Sequence, residues 1–300
     1  MTGHQRQPWF HTVQDRAPQT RFCVLYPGRS PLRGQVVLAP PFAEELNKCR
    51  RMIRLQAEAL AAAGFDVLVM DLLGTGDSPG EFGDASWNRW RDDLLAAVAH
   101  VRSTRKESLP LWLWGVRAGC ALAAACARAL DQDCRLLFWQ PLAAPQQLQQ
   151  WLRWAKVGTL LSGTSAASGA EAQTPQQRLD RGDPVDIGGY ELSAVLAREM
   201  AADGFEPPGR LQALVWMEVC SPEPVPPPPW VVAQQSRWSG QVAEARLLQV
   251  EGPAFWSTVE TEDAPLLVDA TLRALESVAD RMAVATGAST QAAMEGNAHA

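Results

Sequence analysis

Short apolar runs alternate along the chain with stretches whose apolar residues recur at helical spacing. That is the pattern of a mostly parallel sheet flanked by helices. Val36-Val37-Leu38-Ala39 reads as a buried strand stopped by Pro40 and Pro41. From Asn47 to Ala63 the positions of Met52, Ile53, Leu55, Ala59 and Leu60 mark a helix that ends at Gly64. Phe65 to Asp71 forms the next strand, closed by a turn containing Gly74 and Gly76. Ser86 is placed to cap a helix running to His100. A strand from Leu111 to Trp114, a helix from Ala118 to Leu130 and a strand from Leu136 to Trp139 follow.

The alternation then breaks. Residues 143–210 hold an amphipathic helix (Leu148 to Val157), a Gly/Ser/Ala-rich stretch (Gly158 to Gln173) and a second helix (Leu192 to Ala202). They read as an inserted cap with a mobile loop in its middle. Leu211 to Val219 resumes the sheet, and a proline run from Pro222 to Pro229 follows it. Leu247 to Val250 is the last strand and Pro265 to Arg281 the last helix. One domain over residues 20–278 is expected, with 282–300 as a disordered tail.

Composition narrows the class. The 300 residues are 47% hydrophobic and 20% charged, enough apolar material for a large core and unlike a disordered or disulfide-stapled chain. The net charge of -6 gives no footprint for nucleic acid. Six cysteines (23, 49, 120, 126, 134 and 220) contain no Cys-x-x-Cys pair, so neither a zinc site nor a disulfide framework is indicated. No metal and no cofactor are expected. No apolar run is long enough to cross a bilayer, and the N-terminus lacks the apolar core of a signal peptide, so the reading is a soluble cytoplasmic protein.

The segment that carries chemistry is Leu111 to Gly119, LWLWGVRAG. A strand entering Gly-x-x-x-Gly and then an alanine-rich helix is the layout of a nucleophile elbow. Gly115 and Gly119 flank its apex, and the apex is Arg117 rather than a nucleophile. Arginine stays protonated and cannot attack a carbonyl. The stretches PPFAEELNKCRRM (40–52), DLLGTGDSPGEF (71–82), WGVRAG (114–119) and GPAFW (252–256) give the chain its resemblance. It resembles the α/β-hydrolase fold and, within it, the hydrolase 2 family associated with the exosortase A system. The resemblance implies a hydrolase label, inherited from the fold, and a role near exopolysaccharide production and protein sorting.

In that fold the triad runs nucleophile, acid, histidine along the chain. Glu218 stands at the acid position, while Gly252 to Trp256 fills the histidine position without a histidine. His4, His11, His100 and His299 are the chain's only histidines, and none is placed to serve the elbow. Cys120, in the first turn of the helix after the elbow, is a weak replacement nucleophile, with inert packing as the alternative. Cys49, Ser78, Asp71 and Asp77 read as packing or turn residues.

A partly buried Arg117 needs an anion. Either it pairs internally with Glu218, Glu44 or Glu45, or it holds an anionic ligand such as a carboxylate or phosphate. The segment after the first strand adds Glu44, Glu45, Asn47 and Lys48, and Phe42, Phe255 and Trp256 could form apolar walls of a pocket. Trp151 and Trp154 fall on one face of the cap helix and are expected to pack cap against core. Two functions follow. One is a catalytically degenerate hydrolase homologue binding an acyl or anionic molecule, or a protein partner. The other is an atypical ester or thioester hydrolase using Cys120 or an activated water.

Overall fold

The computed structural model describes residues 6–14, 19–106, 108–161, 173–223 and 226–297, with the side chains of 156–161 and 283–297 excepted. The chain opens with an antiparallel hairpin of β1 (Gln7–Val13) and β2 (Gln19–Tyr26), pairing Trp9 with Cys23 and His11 with Arg21. Sequence reading began the sheet at Val36 and missed both strands. Polar residues interrupt them and β1 lies at the sheet edge, half exposed, so neither shows a continuous apolar run.

β3 (Gly34–Ala39), α1 (Glu44–Ala62) and β4 (Phe65–Met70) form the first parallel crossover. Helix α1 starts three residues before the expected Asn47, with Glu44 and Glu45 in its first turn where the helix dipole favours carboxylates. It stops where expected: Gly64 has φ 95°, and a Cβ there would lie 2.6 Å from the Pro31 carbonyl oxygen. α2 (Trp87–Ser103) is capped by the Ser86 hydroxyl, which accepts from the Arg89 amide. β5 (Leu111–Val116), α3 (Gly119–Ala129) and β6 (Cys134–Trp139) complete the centre.

Between β6 and the next sheet strand lie α4 (Ala144–Leu161), α5 (Pro175–Arg181), the small hairpin of β7 (Val185–Ile187) and β8 (Tyr190–Leu192), and α6 (Ala194–Ala202). The expected mobile loop falls mainly on residues outside those described. β9 (Leu211–Cys220), α7 (Pro229–Ser239), β10 (Glu244–Glu251) and α8 (Pro265–Asn297) follow. Helix α8 continues past Arg281, where the sequence reading placed the start of a disordered tail.

The eight-stranded sheet runs β1-β2-β4-β3-β5-β6-β9-β10, parallel from β4 onward, with β1 and β2 antiparallel. β3 and β5 are buried along their whole length, as expected of strands covered on both faces. Trp112 and Trp114 pack with α1 and α8, while Leu111 and Leu113 pack with α2, α3 and the cap. Across β5 and β6, Trp114 and Trp139 meet edge-to-face at 4.8 Å, and the Trp139 indole donates to Thr271 on α8. A buried ion pair ties the hairpin to the core. Arg21 Nε donates to Asp93 Oδ2 at 2.8 Å, and the same oxygen accepts from the Leu73 amide at 2.9 Å. Ser78 is a turn residue, as expected, donating to the Asp71 carbonyl and accepting from the Phe22 amide. No helix among the described residues is long and apolar enough to cross a membrane.

Candidate ligand-binding site

The elbow after β5 is built as its glycines predict. A Cβ on Gly115 would lie 2.4 Å from Cys120 Cα, and one on Gly119 would lie 2.2 Å from the Ala39 carbonyl oxygen. Only glycine lets β5 turn this sharply into α3. At the apex Arg117 has φ 55°, a left-handed conformation costing a non-glycine residue about 1–2 kcal/mol. The surroundings hold it there: the Arg117 amide donates to the Trp139 carbonyl at 2.9 Å, and its carbonyl accepts from Leu142 at 3.2 Å. The segment joining β3 to α1 is also constrained, with Ala43 at φ 50°.

Arg117 is only 9% exposed and lies where the C-terminal ends of the central strands meet the cap. Its guanidinium stacks over Trp256, 5.0 Å from the ring centroid. Nε and Nη2 both reach a single oxygen, Glu45 Oε1, at 3.4 and 3.3 Å. A bidentate arginine–carboxylate pair usually closes to about 2.7–2.9 Å across two oxygens, so this pair is long and one-sided. Glu45 Oε2 is buried, and the Gln147 side chain hydrogen-bonds the same carboxylate. Burial pushes the Glu45 carboxyl above its usual range, and the Arg117 charge opposes that rise.

The other expected partners of Arg117 are engaged elsewhere. Glu218 Oε1 accepts from the Trp216 indole at 2.6 Å, and burial raises its carboxyl too. Glu44 Oε2 accepts from the Tyr190 hydroxyl and from Asn47, each at 3.2 Å, which ties the start of α1 to the β7–β8 hairpin of the cap. The internal pair is therefore Glu45, because Glu45 comes one turn position further round α1 and faces the elbow.

A pocket of about 240 Å³ opens above the guanidinium. Helix α1 supplies Glu44, Glu45 and Lys48 to it, and the elbow supplies Arg117. Helix α4 contributes Gln147, Gln150, Trp151 and Trp154, and the segment after β10 contributes Trp256 and Ser257. Sequence reasoning missed the glutamines and Ser257, because nothing in the spacing of a cap helix says which face closes over an elbow. Phe42 and Phe255 are not pocket walls. Phe42 packs with Phe82, Trp90 and Trp151, and Phe255 with Trp139 and Trp256, as core behind the site. Asn47 lies outside the pocket, donating to Glu44 and Tyr190. Trp151 and Trp154 do not both pack cap against core: Trp151 is 7% exposed against the core, whereas Trp154 is 67% exposed at the pocket edge.

Cys120 is fully buried, its thiol donates to the Trp139 carbonyl at 3.7 Å, and burial pushes it well above the usual thiol range. Cys49 is buried and shifted the same way. Neither lines the pocket, and a protonated buried thiol is a poor nucleophile. His11 and His100 pack at a tilt, 4.5 Å between ring centroids, beside Trp9 at the β1 edge of the sheet. His4 and His299 lie outside the described residues.

An eight-stranded, mostly parallel sheet carrying a sharp elbow after its central strand, with an insertion between β6 and β9, defines an α/β hydrolase. Residues 30–179 match the Hydrolase_4 family, described as serine aminopeptidase S33, and the chain belongs to that family. Solved structures agree on the fold. GrgF, an α/β hydrolase from Penicillium sp. sh18, is 16% identical with a TM-score of 0.58, covering 92% of this chain and 99% of its own. A soluble variant of monoglyceride lipase from Saccharomyces cerevisiae, solved with a substrate analogue, is 14% identical with a TM-score of 0.59 over 93% and 97%. Est1E from Butyrivibrio proteoclasticus, solved with ferulic acid, is 17% identical with a TM-score of 0.56 over 88% and 94%. No curated protein matches the sequence.

Proposed function

We propose that this chain is a catalytically degenerate member of its family, of the exosortase A-associated type that its motifs resemble, and that it binds a carboxylate-bearing molecule at the elbow. The observation that carries the reading is Arg117: a cation at the apex of an intact elbow, opening into a pocket, with a long and one-sided internal partner. The left-handed backbone aims whatever side chain stands at 117 out of the elbow, which serves an anion receptor as well as a nucleophile. Binding supplies acceptors for donors that Glu45 uses poorly. Gly252 to Trp256 fills the expected histidine position without a histidine and Trp256 covers the guanidinium, so a nucleophile at 117 would have no base from that segment. The cellular setting proposed, near exopolysaccharide production, rests on the motif resemblance alone.

Calorimetric titration of the purified protein with a set of small carboxylates and their neutral amides tests the reading. The expected result is binding of at least one carboxylate, at least tenfold tighter than its amide and lost in Arg117→Asn. Equal binding of carboxylate and amide would overturn it. Turnover of acyl esters or thioesters that vanishes in Cys120→Ala would instead establish the atypical hydrolase.

A further inference from the structure

We propose that Glu45 is the proton acceptor of this site: a carboxylate held by Arg117 is taken up together with one proton, which Glu45 binds, so the pocket holds its ligand more tightly as pH falls. The proposal rests on the carboxylate-binding reading above and adds the regulation of that site.

Charge balance around the guanidinium carries the argument. Glu44, Glu45, Lys48 and Arg117 are the ionisable side chains that line the pocket among the described residues. Two acids and two bases cancel, so an incoming carboxylate leaves one negative charge in excess. Lys48 does not offset it, because Glu44 stands one turn away on α1 and already faces that charge. Arg117 offers Nε and Nη2 to Glu45 Oε1 at 3.4 and 3.3 Å. A second carboxylate must displace Glu45 from that edge or take the remaining donors of the same fork. Either arrangement sets two carboxylates on one nearly buried cation. Carboxylates that share a site in this way do not both stay ionised, and one of them takes a proton.

Glu45 is the one placed to take it. Burial already favours its neutral form, opposed first by Arg117, then by the hydrogen bond from Gln147 on α4, then by Lys48. Sharing Arg117 with a ligand weakens the largest of those opposing influences. The other neighbours supply no compensating charge: Cys49 is a buried thiol pushed well above its usual range, and Trp256 is neutral. Glu218, on β9, lies within the field of Arg117, but its Oε1 accepts from the Trp216 indole at 2.6 Å while the guanidinium donates to Glu45. Linkage fixes the sign. Binding that raises the pKa of a group consumes protons and weakens as pH rises, by up to about tenfold per pH unit for one proton.

Titration of the full chain with acetate, benzoate and octanoate tests the proposal, with calorimetry from about pH 5.5 to about pH 8.5, where these probes are themselves ionised, and a pH-stat at about pH 6.5 to count protons. The expected result is uptake of close to one proton per bound carboxylate, and affinity that falls about tenfold or more across the range. In Glu45→Gln the uptake and the pH dependence should both vanish, and binding at about pH 8 should be about tenfold tighter than in the parent. Arg117-dependent binding that is flat with pH and takes up no proton would overturn the proposal and leave carboxylate binding at the elbow standing. Uptake that persists in Glu45→Gln and disappears in Glu218→Gln would do the same. No Arg117-dependent binding of any of the three probes, by the parent or by Glu45→Gln, would overturn both readings.

Discussion

Replacing Arg117 by asparagine separates its role in the fold from its role in the pocket, because asparagine tolerates the left-handed backbone that the elbow imposes. The substitution relieves strain of about 1–2 kcal/mol. It removes the cation–π contact with Trp256, about 2 kcal/mol for a guanidinium this buried, and at low pH little else, so the variant should match the parent to within about 1 kcal/mol there. At higher pH the balance changes. A carboxyl whose folded pKa exceeds its unfolded value keeps a proton in the native state that the unfolded chain has already released. Native stability therefore falls as pH rises from the unfolded value through the folded one. Glu45 is such a group, raised above its usual 4.5 by burial and held down by Arg117. Without the guanidinium its folded pKa rises further, the interval widens and the stability loss grows. Once Glu45 is forced to ionise without the guanidinium, with only Gln147 and Lys48 to favour its charge, the variant should be less stable by about 1–3 kcal/mol. Urea unfolding of both proteins at about pH 5 and about pH 8 measures the difference directly. An equal difference at the two pH values would refute the coupling of Arg117 to Glu45.

Four further outcomes are expected. The parent protein should hydrolyse short acyl esters and thioesters no faster than buffer in a sensitive chromogenic assay, where even about one turnover per second would be plain. Gly119→Ala should drive a Cβ into the Ala39 carbonyl, destabilising by about 1–3 kcal/mol in thermal unfolding and weakening carboxylate binding. Asp93→Asn should strand the Arg21 cation beneath the hairpin and cost about 3–5 kcal/mol in chemical denaturation; a loss below 1 kcal/mol would mean that water reaches the pair. A thiol reagent should label Cys220, the one partly exposed cysteine, well before Cys49 or Cys120 in the native protein.

The sheet's centre was legible because β3, β5 and β6 are buried on both faces and must be apolar almost throughout, while α1 and α2 carry one-sided apolar stripes and α3 is small and apolar nearly throughout. The elbow was legible for a steric reason: Gly115 and Gly119 stand where a Cβ cannot. The hairpin strands β1 and β2 were not, since antiparallel strands that are only partly buried tolerate the polar residues that erase the pattern. Within the site, sequence order set Arg117, Glu218 and the segment Gly252 to Trp256 at the three triad positions but could not choose among carboxylates for Arg117. That choice depends on the rotation of α1 at its first turn, where Glu45 points at the elbow and its neighbour Glu44 at Tyr190. The contribution of α4 was invisible, because it is fixed by how an insertion folds back over the sheet and not by any local spacing.

Trp256 over Arg117 also bears on what the lineage of this chain can become. A serine at 117 alone would leave the Glu45 carboxylate without its cation and would face an indole where a base is required. A histidine at 256 alone would set a second proton-binding group against a fixed positive charge and remove the ring that shields it. Each single step toward a working triad is thus worse than the starting point, and only the double replacement is coherent. The arginine–tryptophan contact would then act as a ratchet: under the proposed reading, no single replacement at this elbow supplies a nucleophile together with its base.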